Sequence, residues 1–306
     1  MEKWLWTQKQ NIGPSPRYSQ VMTYDSAKQR VLLFGGRTGE NFLNDTWQWD
    51  GSDWTQVADT GPSPRFLSTM AYDSSREKAV LFGGYANSST ITSILNDTWE
   101  WDGTEWTQVA DTGPAAIGLN EKILNPPSPS SGYIMSYDST RQKMMLFGGW
   151  NPNRTHNDTW EWDGTEWTQV ADIGPSSRGL YGMVYDTSQQ KMVLFDGETG
   201  ETWQMTNNNW VKVQDTGPGS VAWPIMVFSA KGIILFQSQT DPNFPAFVKT
   251  WQWGGTFWKQ KQDIGPLPRS GYSMAFDTQR DRTVLFGGMN GDFDYGDTWE
   301  LKIESA

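Results

Sequence analysis

The 306-residue chain contains no cysteine, which excludes a disulfide framework, thiolate nucleophiles and Cys-ligated metals. It has a single histidine, His156, so a histidine-cluster metal site lacks its parts, and a Ser–His–Asp triad would have to take its base from that one residue. Positive charge is scarce: 24 Lys and Arg against 35 Asp and Glu give a net charge of −11, which argues against a nucleic-acid or anionic-membrane surface. No apolar run is long enough to suggest a transmembrane helix. What the chain does carry is 19 Trp, 31 Gly and 16 Pro, a composition suited to β-structure with many tight turns and large interior anchors.

Those tryptophans are periodic. A Trp followed by a polar pair recurs at Trp6, Trp54, Trp106, Trp167, Trp210 and Trp258. Thr-Trp pairs begin at Thr46, Thr98, Thr159, Thr202, Thr250 and Thr298, and apolar runs end in Leu-Phe at Phe34, Phe82, Phe147, Phe195, Phe236 and Phe286. Six copies of each define six units. Each reads as four short strands, A to D, which in the first unit are Tyr18–Tyr24, Val31–Phe34, Asp45–Trp49 and Trp54–Val57. Asp25 opens the A–B turn and Asp50-Gly51 marks the C–D hairpin. Four-stranded antiparallel units at this period are the blades of a β-propeller.

The expected architecture is therefore all-β: one six-bladed propeller domain over 1–306, with blades at 14–58, 62–110, 126–171, 175–214, 218–262 and 266–303. The last unit lacks a D strand, while Trp6-Thr7-Gln8-Lys9 matches the D-strand pattern Trp54-Thr55-Gln56-Val57. Residues 1–10 are thus expected to complete the sixth blade beside Asp297–Ile303, which removes an exposed seam.

The Leu-Phe-Gly-Gly ending of strand B at Gly35, Gly83, Gly148 and Gly287, the Pro-Arg opening of strand A at Arg17 and Arg65, and the downstream Asp-Thr-Trp resemble kelch repeats over essentially the whole chain. The resemblance implies the propeller fold. It bounds function weakly, because kelch propellers include protein-interaction modules, sugar epimerases, metal-dependent specifier proteins and copper radical oxidases. An oxidase would need the Cys–Tyr cross-link, and there is no Cys. The specifier pattern would need Asp where Pro152 stands.

Positions repeated in all units read as scaffold. Sixteen of the tryptophans belong to such series, leaving Trp4, Trp150 and Trp223. Met22, Met70, Met135, Met183, Met226 and Met274 repeat on strand A and read as adaptable packing rather than a soft-metal site. The partial Asp ring at Asp25, Asp73, Asp138, Asp186 and Asp277 reads as turn formation rather than a calcium site, and His156 as a packing residue rather than a base.

Length variation falls on the B–C and D–A connections, at one face of the ring, where binding residues are expected. After Gly-Gly, or its equivalent, stand Arg37, Tyr85, Trp150, Glu198, Gln239 and Met289. Strand A opens with Arg17, Arg65, Arg178 and Arg269 but with Ser130 and Val221 in the other two units. Four Arg at a channel mouth would form a positive focus for carboxylates, or would instead hydrogen-bond blade carbonyls. The candidate ligand residues are Arg17, Arg65, Arg178, Arg269, Arg37, Tyr85, Trp150 and Trp223, the last standing in place of a mostly Tyr or polar residue.

Two functions follow. The first is a non-catalytic recognition scaffold for a peptide, protein or glycan. It is favoured by the redundancy of the repeats: residues 97–114 and 158–175 differ only at Thr112 and Ile173. The second is an enzyme acting on a sugar acid, similar to kelch-type sialic-acid epimerases, with Asp196, Glu198 and Glu201 as acid–base candidates. No catalytic residue, metal or cofactor is assigned. The expected partner is a protein, peptide or anionic sugar, with no nucleic acid or membrane, and the expected state is a monomer. With no signal peptide read at 1–10, a cytoplasmic location is expected.

Overall fold

The computed structural model describes residues 2–10, 12–86, 94–111, 131–151, 154–176, 180–241, 243–291 and 293–304. They form six four-stranded antiparallel sheets in a ring, a six-bladed β-propeller with no helix among the described residues. In blade 1, strands A to D are Val21–Asp25, Arg30–Thr38, Asn41–Trp49 and Trp54–Ala58. Blades 2 to 5 follow the same order, and blade 3 adds a short strand, Arg154–Thr155, beside its strand B.

Blade 6 takes Ser273–Asp277, Arg282–Phe286 and Thr298–Glu304 from the end of the chain and Lys3–Gln10 from its start. Trp4 lies opposite Ile303 and Trp6 opposite Leu301, so the N-terminal strand is the outermost of the sixth blade, as its Trp-Thr-Gln pattern predicts. Successive A strands neighbour one another around the axis, and those of blades 6 and 1 close the ring.

The strands of blade 1 differ from their expected bounds in an informative way. Strand A begins at Val21, and Tyr18 is an isolated bridge to Arg37. Ser19, between them, has φ of 54°, a left-handed turn that interrupts the strand.

Each D-strand Trp reaches across to the preceding blade. The indole N–H groups of Trp54, Trp106, Trp167, Trp210, Trp258 and Trp6 donate to Thr298, Thr46, Thr98, Thr159, Thr202 and Thr250, all at 2.8–3.0 Å. The same rings meet Phe286, Phe34, Phe82, Phe147, Phe195 and Phe236 of the preceding B strands, centroids 5.2–5.6 Å apart. Six identical latches therefore join six blades. Trp6 supplies the last, so the seam between first and last blade is built like the others. A hydrogen bond of this kind is worth about 1 kcal/mol net, and each aromatic pair adds about 0.5–1.5 kcal/mol beyond its buried area.

Four tryptophans that stand two residues beyond the Thr-Trp pairs lie deeper still. Trp49, Trp101, Trp162 and Trp253 are almost wholly buried, and Trp4 joins the core between blades 5 and 6. The Gly-Gly pair, a bulge inside strand B, serves close approach. A Cβ on Gly35, at φ of 64°, would sit 2.8 Å from the Arg65 carbonyl oxygen of the next blade. Gly36 N–H donates to that same oxygen at 2.9 Å.

Candidate functional site

The arginines that open strand A turn inward. Arg17 is 1 % exposed, and its five N–H groups go to Ser15 O, Ser15 Oγ, Gly35 O and both oxygens of Asp45. Arg65 repeats the pattern on Ser63, Gly83 and Asp97. Arg269 clamps Asp297 and lies 4.0 Å from the centre of the Tyr295 ring. None of the three leaves a donor facing the channel mouth, so the expected positive focus gives way to an internal clamp. Arg178, the fourth, lies outside the described residues. Burial opposes the Asp45 charge, but the hydrogen bonds and charge of Arg17, with the Trp47 N–H, hold its carboxyl below the usual range.

The same motif therefore does three jobs. In Asn44-Asp45-Thr46, Asn44 donates to Asp59 O, Asp45 takes the Arg clamp and the Trp47 N–H, and Thr46 receives the next blade's latch. This Asp role is only partly readable from the repeats, because blade 3 keeps Asp158 although its strand A opens with Ser130. Asp45, Asp97 and Asp297 accompany Arg17, Arg65 and Arg269, whereas blade 5 replaces both partners, with Val221 and Lys249. There Gln237 takes over, donating to Pro218 O and Ser220 O and accepting from Trp251.

Four of the six variable residues after Gly-Gly or its equivalent fall on one ladder position. Arg37 pairs with Tyr18, Tyr85 with Phe66, Met289 with Ser270 and Trp150 with Ser131. The placement of the Trp150 side chain lies outside what the structure describes. Arg37 is held among the rings of Tyr18, Phe42 and Phe66, 5.5–5.9 Å from each centre, with Glu40 at 3.2 Å. Tyr85 packs against Phe66. Trp223 is 40 % exposed and does not replace a Tyr; it shares its position with Ser19, Leu67, Gly132 and Gly271, and like them has a positive φ.

The six strand-A methionines border two cavities on the channel axis. At the variable-loop end is a funnel of about 410 Å³, and at the turn face a second of about 330 Å³. The methionines are thus both blade packing and the waist of the channel. The first funnel is walled by Tyr18, Tyr133, Tyr181, Tyr272 and Trp223, with hydroxyls such as Ser68 and Thr69. No Asp, Glu, Lys, Arg or His lines it among the described residues. Its phenols are poor bases: burial pushes Tyr18 and Tyr272 upward, and the Tyr272 hydroxyl donates to Phe236 O. Two buried polar atoms of lining residues, Gln20 Oε1 and Ser273 Oγ, have no hydrogen-bond partner among the described residues.

The acid–base candidates of blade 4 lie elsewhere. Asp196 is 1 % exposed and caps its own turn by accepting from Glu198 N and Thr199 N. Glu201 pairs with Lys212 and accepts from Trp203. None of Asp196, Glu198 and Glu201 lines the funnel. The Asp25 ring likewise caps A–B turns: Asp25 accepts from Lys28 N and Asp73 from Arg76 N. No group of three or more metal-ligating His, Asp or Glu occurs among the described residues. His156 is buried, its backbone N–H bonded to Gly149 O and its Nδ1 3.9 Å from Asp158.

No protein-family model and no curated protein matches this chain. Among solved structures, its fold is similar to one titled "Structure of YjhT", with a TM-score of 0.71 and 14 % identity, covering 96 % of this chain and 98 % of that one. At that identity the likeness is one of fold.

Proposed function

We propose that this propeller is a non-catalytic recognition scaffold, kelch-like in its repeat, that binds a neutral saccharide in the funnel at its variable-loop end. The observation that carries this reading is the funnel wall: aromatic rings and hydroxyls, with no charged side chain among its described lining residues. A concave, mostly apolar site with a few polar groups suits a small ligand. Rings stack on the C–H faces of a sugar, and lining hydroxyls such as that of Ser68 exchange hydrogen bonds with its O–H groups. An anionic ligand would find no free cation there among the described residues, because Arg17, Arg65 and Arg269 are spent on Asp45, Asp97 and Asp297. General acid–base chemistry near neutral pH also lacks a group suited to it among the lining residues.

Calorimetric titration with neutral oligosaccharides, sugar acids and acidic peptides, at low and moderate salt, tests this. A neutral saccharide should bind with salt-independent affinity and be recovered unchanged. Binding restricted to a sugar acid, weakening with salt or accompanied by its turnover, would move the protein to the enzyme class. Binding restricted to peptides would make it a protein-recognition module.

A further inference from the structure

At the funnel mouth, five blades place the same backbone turn at the same position: Ser19, Leu67, Gly132, Trp223 and Gly271 all have left-handed φ, between 54° and 83°. The turn stitches neighbouring blades. Ser19 N–H donates to Gly271 O, and Leu67 N–H to Ser19 O, so a collar of main-chain bonds runs from blade 6 through blade 1 to blade 2. Glycine adopts this conformation freely, whereas a side chain pays a steric penalty. Gly132 and Gly271 therefore show that the collar needs no side chain. Blades 2 and 5 nevertheless keep Leu67 and Trp223. At Trp223 the following Pro224 restricts the backbone further.

The other left-handed residues make the contrast sharper. Gln29, Glu77, Gln142, Gln190 and Asp281 close A–B turns, and Asn207 and Asn208 form a hairpin turn; all seven are polar, exposed residues. Only the collar puts large apolar side chains in this conformation among the described residues. Strained positions kept against a free alternative concentrate at binding sites. Both side chains line the funnel, and blades 2 and 5, three apart in a ring of six, stand on opposite sides of it.

We propose that Leu67 and Trp223 are the specificity-determining walls of this funnel, and that they select a pyranose whose two ring faces are both apolar. A sugar with all-equatorial hydroxyls presents C–H groups on both faces and its hydroxyls at the rim. One face meets the Trp223 ring and the other the Leu67 side chain, while rim hydroxyls reach lining hydroxyls such as that of Ser68. An axial hydroxyl would press a polar group against one apolar wall. This rests on the neutral-saccharide reading above and names the sugar class within it.

The test titrates cellotetraose, the corresponding β-1,4-galactotetraose and β-1,4-mannotetraose against wild type, Leu67→Gly, Trp223→Gly, Trp223→Phe and the turn control Gln142→Gly. Wild type and Gln142→Gly should prefer cellotetraose at least tenfold. Both collar glycine variants should melt cooperatively yet lose that preference with at least a tenfold loss of cellotetraose affinity. Trp223→Phe, which keeps an aromatic platform, should retain most of it. Glycine variants that bind cellotetraose as wild type does would overturn the role of the two walls while leaving the saccharide reading standing. So would a wild type that binds the three sugars equally. A wild type that binds no neutral saccharide removes the function itself, and the walls with it.

Discussion

Replacing Arg65 by methionine keeps the aliphatic stem but removes all five guanidinium donors. Ser63 O, Ser63 Oγ and Gly83 O lose their partner, and the mostly buried Asp97 carboxylate keeps only the Trp99 N–H. Breaking a buried pair from one side costs about 3–5 kcal/mol, because a charge is left uncompensated. For a chain of this size each kcal/mol lowers Tm by roughly 2 °C, so Arg65→Met should melt about 6–10 °C below wild type. Adding Asp97→Asn removes the stranded charge while leaving an oxygen for Trp99. The double variant should therefore be more stable than Arg65→Met alone, as blade 5, which lacks both partners, indicates. Calorimetric melting at pH 7 reads both. An Arg65→Met melting point within 1 °C of wild type, or a double variant less stable than the single, would refute the clamp and return Arg65 to the candidate ligand residues.

Two further expectations follow from the same geometry. Asp45 and Asp73 are held low against burial by Arg17 and by Ser75 and Arg76, and Asp102 is held at about 2 by Thr104 and the Glu105 N–H. Depressed folded-state values stabilise the fold above the unfolded carboxylate range near 4 and lose that contribution as pH falls through them. Melting temperature should then fall from about pH 4 toward 2, and Asp45→Asn should lower it at pH 7 while shallowing the acid slope; an unchanged slope contradicts this. Trp6→Phe and Trp54→Phe each delete one interblade N–H while keeping the edge-on ring contact, and should cost about the same, roughly 1 kcal/mol. A Trp6→Phe cost near zero would mean that the closing interface is looser than the rest.

The architecture was legible because each blade repeats its anchors: six D-strand Trp, six Thr-Trp pairs and six Leu-Phe endings leave no freedom in strand count, and the Trp6 pattern marks the missing strand. The site was less legible. From the sequence, Arg17, Arg65 and Arg269 read as donors to blade carbonyls ahead of ligand contacts, and their partner Asp in the downstream Asp-Thr-Trp is marked only by its partial company with Arg. The collar was nearly invisible, since nothing about Ser19 or Leu67 signals a left-handed backbone. Only Gly132 and Gly271 in the equivalent position hint at it. The funnel's lack of charge arises from which strand-A residues face the axis, a matter of ring geometry rather than of any motif.

The latches also set an order of events for the growing polypeptide. Within the propeller, Lys3–Gln10 precedes every other strand, yet its partner strand Thr298–Glu304 follows all the others, and Trp6 must find Thr250 across 243 intervening positions. Throughout synthesis the Trp4–Trp6 strand is an unpaired edge with two large apolar rings, the kind of surface that associates with other nascent chains. A circular permutant opened at the exposed Asp172–Ile173 step, with Lys3–Gln10 joined to Thr298–Glu304, would make that strand beside its partner. It should refold with less aggregation while retaining the same closed ring.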